Sequence, residues 1–87
     1  MYELMFTKTA LKDGNLLKTA RLDRKANELL DILEKDPFQY PPAFEKLSGK
    51  WQDRYSRRIN QQHRIVYRVD TDAKKVYIIR MWTHYDL

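Results

Sequence analysis

The spacing of apolar residues changes once along this chain, from a helical repeat to a strand repeat, shortly after the turn-forming residues 48–49. Before that turn, Ala26, Leu29, Leu30 and Leu33 follow the i, i+3, i+4, i+7 spacing of an amphipathic helix. Beyond it, β-branched and aromatic residues dominate three runs, 55–60, 63–70 and 75–82. Short polar connections separate these runs, so we expect antiparallel hairpins. A chain that is helical first and extended later predicts an α+β fold.

The N-terminal part of the chain predicts one strand and two helices. Residues 2–6 are typical of a short strand, and Thr7 or Thr9 can cap the helix that follows. Gly14 interrupts the apolar stripe of this first helix, which predicts an irregularity there. Asp23 is the expected N-cap of the second helix. The element order is therefore βααβββ, a two-layer fold in which both helices cover one face of an antiparallel sheet and the other face stays open.

Length and residue types limit the kinds of site that the chain can build. Residues 1–87 are too few to divide a core between two domains, so we expect a single domain. The chain has no cysteine, and histidines at positions 63 and 84 make a poor metal set, so we expect neither a metal nor another cofactor. No run approaches the roughly 20 apolar residues that cross a bilayer, so we expect a cytoplasmic protein without a membrane partner.

Positive charge is concentrated in the second half of the chain. Residues 46–87 hold 10 Lys and Arg against 4 Asp and Glu, whereas residues 1–45 hold 7 against 8. The stretch 50–68 holds six of these basic residues and also carries aromatic ones such as Tyr55 and Tyr67. This mixture suits a polyanion with exposed bases, that is, a nucleic acid. The alternative is a solvated basic face that only keeps the protein soluble.

Alternation along the predicted strands places two arginines on one face. Because successive side chains point to opposite sides, Arg58 and Arg64 are candidates for the open face of neighbouring strands. The alternate residues from His63 to Val69 are expected to face the core. Two close guanidinium groups repel each other unless an anion lies between them. The alternative is that each arginine pairs with an acid such as Glu45 or Asp53.

The C-terminal residues His84 and Tyr85 add further reactive groups to this set. A carboxylate, two arginines, a histidine and a tyrosine, without metal ligands, are what RNA cleavage by the ribose 2′-hydroxyl requires. That reaction needs a base for the hydroxyl, cations for the extra charge on phosphorus and an acid for the departing 5′-oxygen. The alternative is a solvent-exposed tail with no chemical role.

Three segments resemble one family closely. They are PFQYPPAFEKLSG from Pro37, YSRRINQQHRIVYRV from Tyr55 and IIRMWTHY ending at Tyr85. These segments are similar to the YoeB/Txe family of ribosome-dependent messenger RNA interferases, toxins of bacterial type II toxin-antitoxin systems within the RelE/ParE superfamily. The resemblance covers almost the whole chain and implies a RelE-like fold and cleavage of messenger RNA in the ribosomal A site.

The resemblance also implies roles for individual residues. Glu45 matches the general base of the family, Arg64 the arginine that stabilises the phosphate, and His84 the general acid. Tyr85 would position or stack the substrate nucleotide, and Arg58 would assist Arg64. Further RNA or ribosome contacts are expected at Lys46, Lys50, Arg54, Tyr55 and Arg57.

The resemblance implies partners as well. A YefM/Phd-type antitoxin would cover the active site with a disordered acidic segment, and operator DNA would be bound mainly through that antitoxin. Some toxins of this type form homodimers, which leaves a second copy of this chain open as a partner. Two other functions remain as alternatives: a non-catalytic RelE-fold protein that binds an antitoxin or RNA, and a toxin of the superfamily with another target.

Overall fold

Two helices lie against one face of a five-stranded sheet. The computed structural model describes residues 1–51 and 53–82, with the backbone alone at residue 51. The elements in chain order are β1 (Glu3–Phe6), α1 (Lys8–Thr19), α2 (Asp23–Lys35), β2 (Glu45–Lys46), a 3₁₀ turn (Gly49–Trp51), β3 (Tyr55–Arg58), β4 (Arg64–Asp70) and β5 (Lys75–Arg80). The predicted α+β class and the predicted helix pair are confirmed.

The strand order of the sheet is β1-β5-β4-β3-β2. β3, β4 and β5 are antiparallel neighbours, as predicted. Two features differ from the prediction. β2 is a fifth strand of only two residues, paired antiparallel with β3. β1 runs parallel to β5, from which the helix pair and three further strands separate it in the chain, a connection long enough for a parallel pair.

β3 ends two residues earlier than the sequence suggests. The side-chain oxygen of Asn60 accepts hydrogen bonds from the backbone N–H groups of Gln62 at 2.8 Å and His63 at 2.7 Å. These contacts close a tight turn between β3 and β4. The ladder pairing therefore stops at the opposed residues Arg58 and Arg64.

The predicted irregularity at Gly14 is wrong, because α1 is continuous. Thr7 caps it as predicted, its hydroxyl accepting from the Ala10 N–H at 3.0 Å. Asp13 points into the protein, where its Oδ2 accepts from Arg80 Nε at 2.9 Å and from the Met81 N–H at 3.0 Å. A Cβ on Gly14 would lie 3.3 Å from the Met81 methyl group. Asp13 and Gly14, which interrupt the apolar stripe in the sequence, thus form a contact between α1 and the end of β5.

The apolar stripe of α2 forms the centre of the core, as predicted. α2 begins with Asp23 as its first residue and has Leu22 at the capping position, one residue earlier than expected. The buried core contains residues of both helices and of β4 and β5: Ala10, Leu17, Ala26, Leu29, Leu30, Leu33, Ile65, Tyr67, Val76 and Ile78. Neither helix in the described part of the chain has the length and apolar character that a membrane crossing requires.

A second covering lies over β3 and β4 on the same face as the helices. It is the connecting segment, residues 36–44, whose carbonyl groups at Pro37, Gln39 and Pro42 contact the side chain of Arg57. Its phenylalanines pack on Tyr55, with ring centroids 5.5 Å apart for Phe38 and 5.9 Å for Phe44. Along β3, Tyr55 and Arg57 point to this covered side and Ser56 and Arg58 to the opposite side. We call that opposite side of β2, β3 and β4 the open face.

Candidate active site

The strand register brings three of the predicted site residues onto the open face. Glu45 is opposite Ser56, and Arg58 is opposite Arg64. Directly opposed residues of antiparallel strands project to the same side of the sheet, and so do residues two apart on one strand. The side chains of Glu45, Ser56, Arg58 and Arg64 therefore share one side, away from the helices.

A small hollow marks the point where these strands meet. It has a volume of about 110 Å³ and is lined by Ala43, Phe44, Glu45, Ser56 and Arg58. Ligand pockets for whole small molecules usually enclose about 300 Å³ or more. The hollow is therefore sized for part of a ligand, such as one phosphate group of a longer chain that lies along the face.

Arg58 and Arg64 are held on the open face by weak neutral contacts. Arg64 is half-buried and donates from Nη1 to Ser56 Oγ at 3.4 Å, while the exposed Arg58 donates from Nη1 to the Gln61 carbonyl at 3.4 Å. Among residues 1–51 and 53–82, neither has a carboxylate within ion-pair distance, and Asp53 lies 3.7 Å from Arg54 instead. The alternative in which Glu45 or Asp53 neutralises them is therefore wrong for the described residues. Within that part of the chain, no acid competes with an anionic ligand for either guanidinium group.

The predicted RNA contacts occupy several different environments. Lys46 is exposed and opposes Tyr55, so it lies on the side of the sheet away from Glu45. Lys50 is exposed in the 3₁₀ turn, and Arg54 is half-buried beside Asp53. Tyr55 is half-buried among aromatic rings. The structure thus does not gather these residues around Glu45, and their contacts with RNA stay predictions.

Arg57 is buried and cannot contact ribosomal RNA, which corrects the expectation drawn from the resemblance. Its side chain is 1% exposed and lies beneath the connecting segment. It donates to the carbonyl oxygens of Pro42 at 2.6 Å, Gln39 at 2.8 Å and Pro37 at 3.0 Å, and to Tyr67 Oη at 3.2 Å. Its role is to tie the segment that precedes Glu45 to β3.

Tyr67 shares the buried environment of Arg57. Burial raises the pKa of Tyr67 to about 12, although the guanidinium of Arg57 acts in the opposite direction. The phenol is therefore neutral at physiological pH and can donate to the Pro37 carbonyl, 3.4 Å away. Its ring stacks on Tyr55 with centroids 5.8 Å apart, which links the sheet to the aromatic cluster of the connecting segment.

This pKa predicts an alkaline loss of stability that depends on Tyr67. A phenol whose pKa is about 12 when folded and about 10 when unfolded stabilises the fold fully below pH 10, and this contribution disappears as the pH rises from 10 to 12. We expect the free energy of unfolding to fall by about 2 kcal/mol more in the native protein than in Tyr67→Phe over that interval. Urea unfolding of both proteins at about pH 9 and about pH 11.5 measures the difference. Parallel decreases in the two proteins would contradict it.

The two C-terminal site residues, His84 and Tyr85, lie outside the described residues. The described chain reaches Trp82, whose carbonyl oxygen accepts a hydrogen bond from the Arg64 N–H at 2.9 Å.

Ser56 is the site residue that the sequence did not indicate. Only the pairing of the two-residue strand β2 with β3 brings it opposite Glu45, and no periodic pattern predicts a strand that short. Within the described ranges, no group of three or more acidic, histidine or cysteine residues is arranged to hold a metal ion.

Comparison with known proteins identifies relatives in sequence and in structure. Residues 6–85 match the family model described as the YoeB-like toxin of bacterial type II toxin-antitoxin systems. The chain is 35% identical to the toxin YoeB of Mycobacterium bovis over 68 residues, which are 78% of this chain and 74% of that protein. The structure superposes on a YoeB/ParE toxin from Agrobacterium tumefaciens with a TM-score of 0.86 and 30% identity, covering 95% of this chain and 99% of the other.

A second structural relative is the YoeB toxin of Staphylococcus aureus. It has been solved in a heterotetrameric complex with YefM and as a dimer. The TM-scores are 0.80 and 0.81 at 30% identity, and the matches cover 98% and 97% of this chain and 99% and 98% of the other chains.

Proposed function

Because this chain belongs to the YoeB-like toxins of bacterial type II toxin-antitoxin systems, we propose that it is an endoribonuclease that cuts messenger RNA in the A site of the ribosome. The observation that carries the proposal is the open face itself. A carboxylate, Glu45, lies on the same side as Arg58 and Arg64, which have no acidic partner among the described residues. This arrangement supplies a base and two cations to a phosphodiester. The cleavage would take place in the bacterial cytoplasm, where ribosomes translate, and would stop translation.

The proposed reaction is attack of the ribose 2′-oxygen on the adjacent phosphorus. Glu45 takes the proton of the 2′-hydroxyl while the O2′–P bond forms. Arg64 and Arg58 hold the additional negative charge on the phosphate oxygens, for which the planar guanidinium fork is better suited than an ammonium. The P–O5′ bond then breaks, and His84 gives a proton to the departing oxygen. Tyr85 positions the nucleotide. The products are a 2′,3′-cyclic phosphate and a 5′-hydroxyl, and no metal takes part.

The fork of Arg64 gives a testable prediction. Arg64→Lys keeps the charge but loses one of two parallel donors, so we expect the rate constant of cleavage to fall by about 10- to 100-fold. The cutting rate of a defined messenger on purified ribosomes, at saturating toxin, measures the effect. Arg24→Lys, at an exposed position of α2, is the control and should cut at the native rate. A native rate in Arg64→Lys would mean that charge alone is sufficient.

Analysis of the product ends tests the proposed chemistry. The downstream fragment should carry a 5′-hydroxyl that a kinase can label at once. The upstream fragment should carry a cyclic phosphate, which acid opens to a mixture of 2′- and 3′-phosphates. A 5′-phosphate on the downstream fragment would instead mean that water attacked the phosphorus, and the proposed role of the 2′-hydroxyl would be wrong.

We propose an antitoxin of the YefM or Phd type as the protein partner. The family and the YoeB–YefM complex of Staphylococcus aureus support it. A disordered acidic segment that folds across the open face would cover Arg58 and Arg64 and exclude RNA. Operator DNA would be contacted mainly by the antitoxin. The dimer of the Staphylococcus aureus toxin supports a homodimer as a further assembly of this chain.

A further inference from the structure

The open face continues beyond the candidate active site along β4. Arg68 lies four residues after Arg64, and alternation along the strand places both side chains on the same side of the sheet. Four residues of an extended strand span about 13 Å. Arg68 is therefore too far from Arg64 to share one phosphate, yet it lies on the same surface.

Arg68 is held in place by an aromatic ring rather than by an acid. It opposes Tyr77 on β5, and its guanidinium carbon lies 4.4 Å from the centre of that ring. Within the described ranges, no carboxylate lies within ion-pair distance of Arg68. Asp70, the acid that follows it on this side of β4, accepts instead from the Ala73 N–H at 3.0 Å and opposes Lys75. Among the described residues, the partner of the Arg68 guanidinium is therefore the Tyr77 ring and not an acid.

We propose that the Arg68–Tyr77 pair is a binding site for an unpaired nucleotide of the messenger, on the 3′ side of the bond that is cut. This inference rests on the proposed function. The face of a guanidinium plane accepts a stacked base, and the N–H groups at its edge can donate to a phosphate of the same strand. The 3′ side is assigned because the preceding codon is paired with transfer RNA in the ribosome, so its bases are not free to stack.

The Arg68–Tyr77 pair is less well matched to an acidic peptide. A carboxylate binds the edge of a guanidinium and gains nothing from an ordered flat face, whereas a nucleotide uses both face and edge. Half-burial of Arg68 and Tyr77 also lowers the entropy lost on stacking, because both side chains are already restrained.

The test compares matched variants on messengers of different length. Arg68→Gln removes the charge, Tyr77→Leu removes the ring, Tyr77→Phe keeps the ring, and Arg24→Gln removes an exposed arginine of α2 as a control. Each protein is assayed on ribosomes loaded with a long messenger and with messengers shortened stepwise from the 3′ end to the cut codon. On the long messenger, Arg68→Gln should raise the half-saturating ribosome concentration about tenfold with an unchanged maximal rate, since one stacked base contributes that much or more. Tyr77→Leu should weaken binding similarly, and Tyr77→Phe and Arg24→Gln should behave as the native protein.

Shortening the messenger decides whether the contact is with the 3′ flank. On the shortest messenger the native protein should bind as weakly as Arg68→Gln. Equal losses on long and short messengers, or no loss in Arg68→Gln, would overturn the proposal. If the native protein cuts no RNA at all, the proposed function fails, and fluorescence anisotropy with a labelled single-stranded RNA tests the site alone. Weaker binding by Arg68→Gln than by Arg24→Gln supports the site. Equal binding of the RNA by the two variants overturns it. The proposal is also overturned if Arg68→Gln weakens the binding of a labelled polyglutamate peptide but not that of the RNA.

Discussion

Replacing Glu45 with glutamine is expected to lower the rate constant of messenger cleavage by about 10²–10⁴-fold, the usual contribution of a positioned general base. Glutamine has nearly the shape of glutamate, but it cannot accept the proton of the 2′-hydroxyl. The fold should not change, because Glu45 is exposed on the short strand β2 and no ion pair to it is present in the described part of the chain. Single-turnover cutting on loaded ribosomes measures the rate constant, and antitoxin affinity should stay close to native.

Two further variants separate this effect from a general effect of charge. Glu28→Gln removes a carboxylate from the exposed side of α2 and should cut at the native rate. His84→Ala should lose activity by a comparable factor, because the proposed acid is then absent. A Glu45→Gln protein that cuts RNA and kills cells as the native one does would exclude Glu45 as the base and leave the arginines as the main contributors.

Arg57→Met is expected to lower the free energy of unfolding by about 3–5 kcal/mol, a large part of the stability of a small domain. Methionine fills much of the volume but donates no hydrogen bond. The carbonyl groups of Pro37, Gln39 and Pro42 would lose their donor beneath the connecting segment. The contact between the guanidinium and the Phe44 ring, 4.7 Å from its centroid, is lost as well.

Urea unfolding of two neighbouring variants tests this expectation. Arg58→Met, at the adjacent exposed position, should change the free energy of unfolding by less than about 0.5 kcal/mol. Arg57→Lys should lie between Arg57→Met and the native protein, because an ammonium reaches fewer of the acceptors than the guanidinium fork does. Equal stabilities of Arg57→Met and Arg58→Met would mean that the connecting segment is held by its aromatic contacts alone.

Those parts of the fold that follow a local repeat could be predicted from the sequence. The stripe of α2, from Ala26 to Leu33, is buried as its spacing indicates. The register of the hairpins follows from short connections and alternation. The contact of Asp13 with Arg80 could not be predicted, because its partner lies 67 residues away and a polar residue in an apolar stripe normally signals a break. The parallel pairing of β1 with β5 is equally non-local.

The candidate site shows the same division. Alternation predicts that Arg58 and Arg64 share a face, and the structure places them opposite each other. The burial of Arg57 could not be predicted, because the segment that covers it is the proline-containing connecting segment. That segment has no periodicity that would indicate packing on the sheet. The position of Glu45 relative to the arginines depends on β2, whose two residues are too few for a pattern. The proposed roles of His84 and Tyr85 are based on the family resemblance.

We propose above all that this toxin cuts messenger RNA in the decoding site and needs the ribosome to do so. Primer extension on one defined messenger, free and loaded on purified ribosomes with a known codon in the A site, tests it directly when the native protein and Glu45→Gln are compared. We expect one cut at that codon on loaded ribosomes, none on free RNA, and cutting about 10²–10⁴-fold slower with Glu45→Gln. Equal cutting of free and loaded RNA would contradict ribosome dependence, and the absence of any cut by the native protein would contradict the proposed nuclease activity altogether.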